Sequence, residues 1–121
     1  MRVLTIEPGK KPVVKTINKG LESLQKEVGG YIQAVYPFED KVALICNEDG
    51  KLNGLPFNRT LRDSSDNVYD IITGTFLVVG LDEENFCSLT DELSEKYLEH
   101  FKFAETFIPT ENGLVVMKII S

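Results

Sequence analysis

The run "KVALIC" at positions 41–46 sets five apolar residues in succession. Its branched side chains suit a pleated surface, and so apolar a segment reads as an interior strand, although periodicity alone also allows another kind of buried element. An interior strand needs neighbours, and the flanking sequence offers several. "RVLTIEPGKKPVVKTI" reads as two short strands around the turn pair Pro8-Gly9, with Pro12 at the entrance to the second, where a missing N–H is tolerated. "YIQAVYPF" reads as a strand ended by Pro37, and "IITGTFLVVG" as another, with Gly74 marking a bulge or a close backbone approach.

Two segments carry helical spacing instead. In "NKGLESLQKEVGG", Leu21, Leu24 and Val28 share one face, Asn18 offers a cap and Gly29-Gly30 a stop, while Gly20 weakens the first turn. "CSLTDELSEKYLEHFKF" is the longer helix. Ser88 or Thr90 can cap it, Asp91 and Glu92 favour its positive end, and Leu93, Tyr97 and Phe101 form a stripe with Leu98 beside them. The tail "LVVMKII" reads as a final strand, which either completes the sheet within one chain or pairs with, or exchanges into, a homodimer. The expected fold is α+β: one compact domain over 1–121, with a mostly antiparallel or mixed sheet and two main helices.

Between the apolar strands lies "NEDGKLNGLPFNRTL", at positions 47–61, with two glycines, a proline and three asparagines. Asp49-Gly50 and Asn53-Gly54 are turn signals, and Asn58 can cap a short helical turn from Arg59, with Leu61 facing inward. Two readings follow. In one, Asn53 and Asn58 satisfy backbone groups while Arg59 and Arg62 are solvated. In the other, the amides and the paired donors of a guanidinium hold a carboxylate or phosphate, with Tyr36, Phe38 and Phe57 adding flat apolar contact. Tyr36, Asn53, Phe57, Asn58, Arg59 and Arg62 are thus the candidate binding residues, for a peptide, a small anionic ligand or a short single strand.

Charge narrows the partners. The chain of 121 residues has a formal charge of −6 and shows no lysine or arginine block, which disfavours direct binding to duplex nucleic acid. Residues 81–111 hold nine acidic residues against Lys96 and Lys102. This acidic stretch reads as a solvated helix face or, through Asp91, Glu95 and Glu99, as an acidic surface that mimics nucleic acid in a basic groove. The start is too short in apolar residues for a signal peptide, and no run reaches membrane-spanning length. Cys46 and Cys87 form no Cys-x-x-Cys pair, so a reduced, cytoplasmic protein is the simplest reading.

Chemistry is hard to find. One histidine, His100, and two cysteines distant from it in sequence give no evident nucleophile–base pair and too few ligands for zinc. "NEDGKLNG" lacks the closing acidic ligand of a calcium loop, because Thr60 stands there. No phosphate-binding glycine pattern is present, and no cofactor or metal is expected. The residues favour a non-enzymatic binding protein; a small hydrolase or transferase using carboxylates is the alternative.

Three segments together resemble a known family: "RVLTIEPGK", "LQKEVGGYIQAVYPFEDKVALICNEDGKLNGLPFNR" and "YDIITGTFLVVG". They look like the uncharacterised domain-of-unknown-function family 3846 of Firmicutes, their phages and related mobile elements. The resemblance covers most of residues 2–80 and leaves 81–121 as a more variable part. The residues matching its pattern are Gly29, Gly30, Asn47, Gly50, Asn53, Pro56, Asn58, Arg59, Asp70 and Gly74. It implies no catalysts. It implies an accessory protein that acts on a host or mobile-element protein.

Overall fold

The computed structural model describes residues 1–120. Its main sheet is antiparallel throughout and is built from β1 (Arg2–Ile6), β2 (Val13–Thr16), β3 (Ile32–Val35), β4 (Val42–Asn47), β7 (Phe76–Leu81) and β8 (Phe86–Cys87). The strand order is β2-β1-β7-β4-β3, with β8 paired to β7 where β1 leaves off. All of β4 is buried, and β7 is buried up to Gly80, as expected for strands covered on both faces.

Alternation in these strands divides the core. Val3, Ala43, Ile45, Leu77 and Val79 point to one face and meet Leu24 and Val28 of α1 (Leu21–Val28). Leu4, Leu44, Phe76 and Val78 point to the other and meet Tyr97 and Phe101 from α2 (Asp91–His100) and its C-cap. Also on that second face lie Leu61 and Ile72, from the hairpin β5 (Phe57–Arg62) and β6 (Val68–Thr73). A last ribbon, β9 (Ala104–Thr110) with β10 (Gly113–Ile119), contacts β5.

Several local expectations hold. Gly29 ends α1 in the left-handed conformation, Thr90 caps α2 by accepting from Leu93 N, and Leu61 faces inward. Others are corrected. "IITGTFLVVG" is two strands, because Gly74 takes φ 73° and donates its N–H to Pro56 O at 2.7 Å, turning the chain out of one sheet into the other. The stretch from Phe57 is strand β5 and not a capped helical turn, since the Asn58 side chain donates to Ile6 O at the end of β1 and to Gly74 O in the turn before β7. The N-cap of α1 is Gly20, with no side-chain bond, and not Asn18. The tail does form a strand within its own chain, but it pairs with β9 and does not enter the main sheet.

Candidate binding surfaces

Strand β5 carries polar side chains into the interior. Asn58 is fully buried, and its Nδ2 donates to Ile6 O at 2.9 Å and Gly74 O at 2.8 Å. That one amide ties the end of β1 to the turn before β7. Arg59 is only 1% exposed. Its Nε and Nη2 donate to Phe101 O at 3.3 and 3.0 Å, Nη2 also to Lys10 O at 2.7 Å, and Nη1 to Asn58 Oδ1 at 2.8 Å. The guanidinium therefore closes the C-terminal end of α2, where unpaired carbonyls carry partial negative charge. Burial pushes the Arg59 pKa down from its ordinary value, and the carboxylate of Glu105 pushes it the other way. Glu105, itself buried, accepts from Thr60 N at 3.0 Å and from Thr60 Oγ1 at 2.6 Å. The Glu105 carboxylate acts on the guanidinium through its field, while its own hydrogen bonds come from Thr60.

Of the other candidate residues, Arg62 adjoins this cluster, its Nε donating to Thr60 Oγ1 at 3.4 Å, while Tyr36, Asn53 and Phe57 lie apart from it. Asn53 is exposed on the turn after β4, and Tyr36 is exposed at the end of β3. Phe57 is 44% exposed with its ring 5.3 Å from that of Phe107. Arg62 reaches back to Asp66 O at 3.0 Å. Of the six, Arg59 and Arg62 line a common cleft of about 270 Å³, whose walls include Phe38, His100, Glu105 and Lys118. Tyr36, Asn53, Phe57 and Asn58 are not among its walls.

His100 stays below its usual pKa because of burial first and then the charges of Lys118 and Lys96, with Glu105 opposing. Cys46 donates to Gln33 O at 3.6 Å and is pushed up, chiefly by burial. Both cysteines are free, and each lies in a different cleft from the imidazole. Among the described residues no three or more His, Cys, Asp or Glu side chains gather as a metal site, and no helix is long and apolar enough to cross a membrane. On α2, Asp91 pairs with Arg2 at 2.6 Å and Glu99 with Lys102 at 2.6 Å, so two carboxylates of the acidic face already have basic partners.

A larger cleft, about 700 Å³, opens between α1 and β8. Leu21, Leu24, Ile32 and Phe86 give it apolar walls, with Lys19 and Asp82 as its charged residues. Asp82 accepts from Asn85 N at 2.8 Å and Glu84 N at 3.1 Å, which holds its carboxyl below the usual range. Sequence reasoning missed this cleft because its walls come from segments up to 87 residues apart. One signal was present: Leu21 lies on the apolar stripe of α1 yet remains 56% exposed, a surplus apolar residue beyond what the core uses.

The family profile for a domain of unknown function (DUF3846) matches residues 1–102. The chain belongs to this family. No curated protein and no solved structure matches it. The large cleft lies wholly within the part matched to DUF3846, whereas the β9–β10 ribbon follows it in sequence. The DUF3846 match also contains Asn58 and Arg59 but not Glu105, the carboxylate whose field acts on the buried guanidinium.

Proposed function

We propose that this DUF3846 domain is a non-enzymatic binding protein that takes an apolar segment of a partner protein in the cleft between α1 and β8. The observation that carries the reading is the cleft itself, about 700 Å³ with Leu21, Leu24, Ile32 and Phe86 in its walls. A concave, mostly apolar site with a few placed polar groups is where binding energy is most readily gained. Lys19 and Asp82 offer one cation and one anion to the main chain or termini of a bound segment. The separation of both thiols from the imidazole supports binding over turnover. An accessory role on a phage or mobile element, acting on a host protein, belongs to the same proposal and rests on the family resemblance.

Amide chemical shifts recorded during titration with a panel of short apolar peptides test this reading. The expected changes concentrate at Leu21, Leu24, Ile32 and Phe86, and Leu21→Glu abolishes them while leaving the spectrum of a folded domain. Shifts confined instead to Asn53, Arg62 and Tyr36 would return the binding site to the polar loop and sink the cleft.

A further inference from the structure

The register of the C-terminal ribbon sorts its side chains into two faces. Phe107 opposes Val116 and Glu105 opposes Lys118 on one face, which is turned toward β5 through the Phe57–Phe107 contact and the bonds from Thr60 to Glu105. Ile108 opposes Val115, and Thr106 opposes Met117, on the other, with Ile119 following. This second face is turned to solvent: Ile108 is 41% exposed, Val115 44%, Met117 56% and Ile119 44%. It bears no ionisable group. The one charged residue of β10, Lys118, lies on the inner face, and the outer edge of β10 pairs with no strand among the described residues.

We propose that this face is a self-association surface, covered in solution by the same face of a second copy of the chain. Charge is the argument for a second copy over a foreign partner. The chain carries −6, so two copies repel across most contacts, and the ribbon face is a place where they can meet without opposing carboxylates. A basic partner would find no carboxylate there to pair with. An uncharged apolar face is complementary to itself, and two-fold association uses one patch twice. A lysine on an exposed strand commonly guards against such contact, but Lys118 is turned away from it.

The size of the face sets the strength. Strands of seven residues give a face about 23 Å long and about 10 Å across. Its flat footprint of roughly 230 Å² falls well short of the about 800 Å² per partner of a standard interface. The dimer is therefore weak and reversible, with dissociation in the micromolar range or above. Added salt strengthens it, because screening weakens the repulsion between two acidic bodies and leaves apolar contact intact.

Sedimentation velocity on the intact protein, over a wide concentration range at low and high sodium chloride, reads this directly. The mass is expected to move from one chain toward two as concentration rises, at several-fold lower concentration in high salt. Met117→Lys, at an exposed position, stays monomeric at every concentration with an unchanged circular dichroism spectrum; Thr106→Arg on the same face provides a second variant with the same expected outcome. A wild-type protein that remains monomeric at the highest concentration overturns the proposal. So does a dimer that survives both substitutions, or one that dissociates as salt is added. These outcomes are independent of peptide binding in the α1–β8 cleft.

Discussion

At Arg59 each guanidinium nitrogen donates to main chain or to Asn58 from inside the protein, so truncation removes several bonds and a charge together. Arg59→Ala leaves the Phe101 and Lys10 carbonyls and Asn58 Oδ1 without this donor and is expected to cost roughly 3 kcal/mol or more in urea denaturation. Arg59→Lys keeps the charge but not the planar fork, and should lose on the order of 1–3 kcal/mol. Asn58→Ala strips the donor from both Ile6 O and Gly74 O and belongs in the same range. By contrast Leu52→Ser, on a side chain 87% exposed, should stay within about 0.5 kcal/mol of the parent. Equal denaturation midpoints for Arg59→Ala and Leu52→Ser would refute the internal role of the guanidinium. The sequence shows an arginine beside an asparagine in a turn-rich stretch. It does not show that Arg59 meets Phe101 across 42 positions and Lys10 across 49, and those distant carbonyls are what draw the side chain inward.

Elements differ in how far neighbouring residues define them. Both helices, and the strands β1, β3 and β4, follow from apolar spacing and from end signals such as Gly29 and Thr90. Strand β5 is less legible because the side chains it buries include Asn58, Arg59 and Thr60, which in sequence look like a loop. Strand β9 hides behind Glu105 and Pro109, and β8 is only two residues long. One contact between elements carries a pH dependence. Asp40, on the connection before β4, accepts from Lys96 Nζ at 2.5 Å and Tyr97 OH at 2.6 Å and so holds α2 against the sheet. The bonds from Lys96 and Tyr97 lower the Asp40 pKa from its ordinary 3.8, so its contribution is present above that pH and is lost as the pH falls through the folded value below it. Burial, with the Asp40 bond added, raises the Tyr97 pKa from 10.0, so that contribution is present below pH 10 and is lost as the pH rises toward the folded value. Thermal melts of the parent and of Asp40→Asn across pH 2–11 check both limbs. The difference between the proteins should narrow below about pH 3.8, and a constant difference across the acid limb would contradict the assignment. Gly74→Ala should cost about 1–2 kcal/mol from its positive φ, with more added because the new Cβ would come 2.8 Å from Leu55 Cδ1.

For the whole molecule, the antiparallel sheet and its two helices are readable as a class, but strand order is not, since no local pattern says that β1 pairs with β7. The ribbon is also more than an appendage. Glu105→Gln should lower stability by removing the field that favours the Arg59 charge, and hydrogen exchange should then quicken first at Thr60 N, which loses a charged acceptor. Unchanged protection at Thr60 would separate the ribbon from the buried cluster. The placement of β7 between β1 and β4 has a further consequence, for biosynthesis. Beyond their hairpin partners, residues 4–6 pair with residues 76–78, and residues 42–45 with residues 77–80. During translation the β1–β2 and β3–β4 hairpins emerge first and must wait, their apolar sides open to solvent, until the strand that joins them has cleared the ribosome exit tunnel. A pause in elongation while β7 is still inside the tunnel would prolong that exposure, whereas a pause after β7 has cleared it would find the sheet able to close.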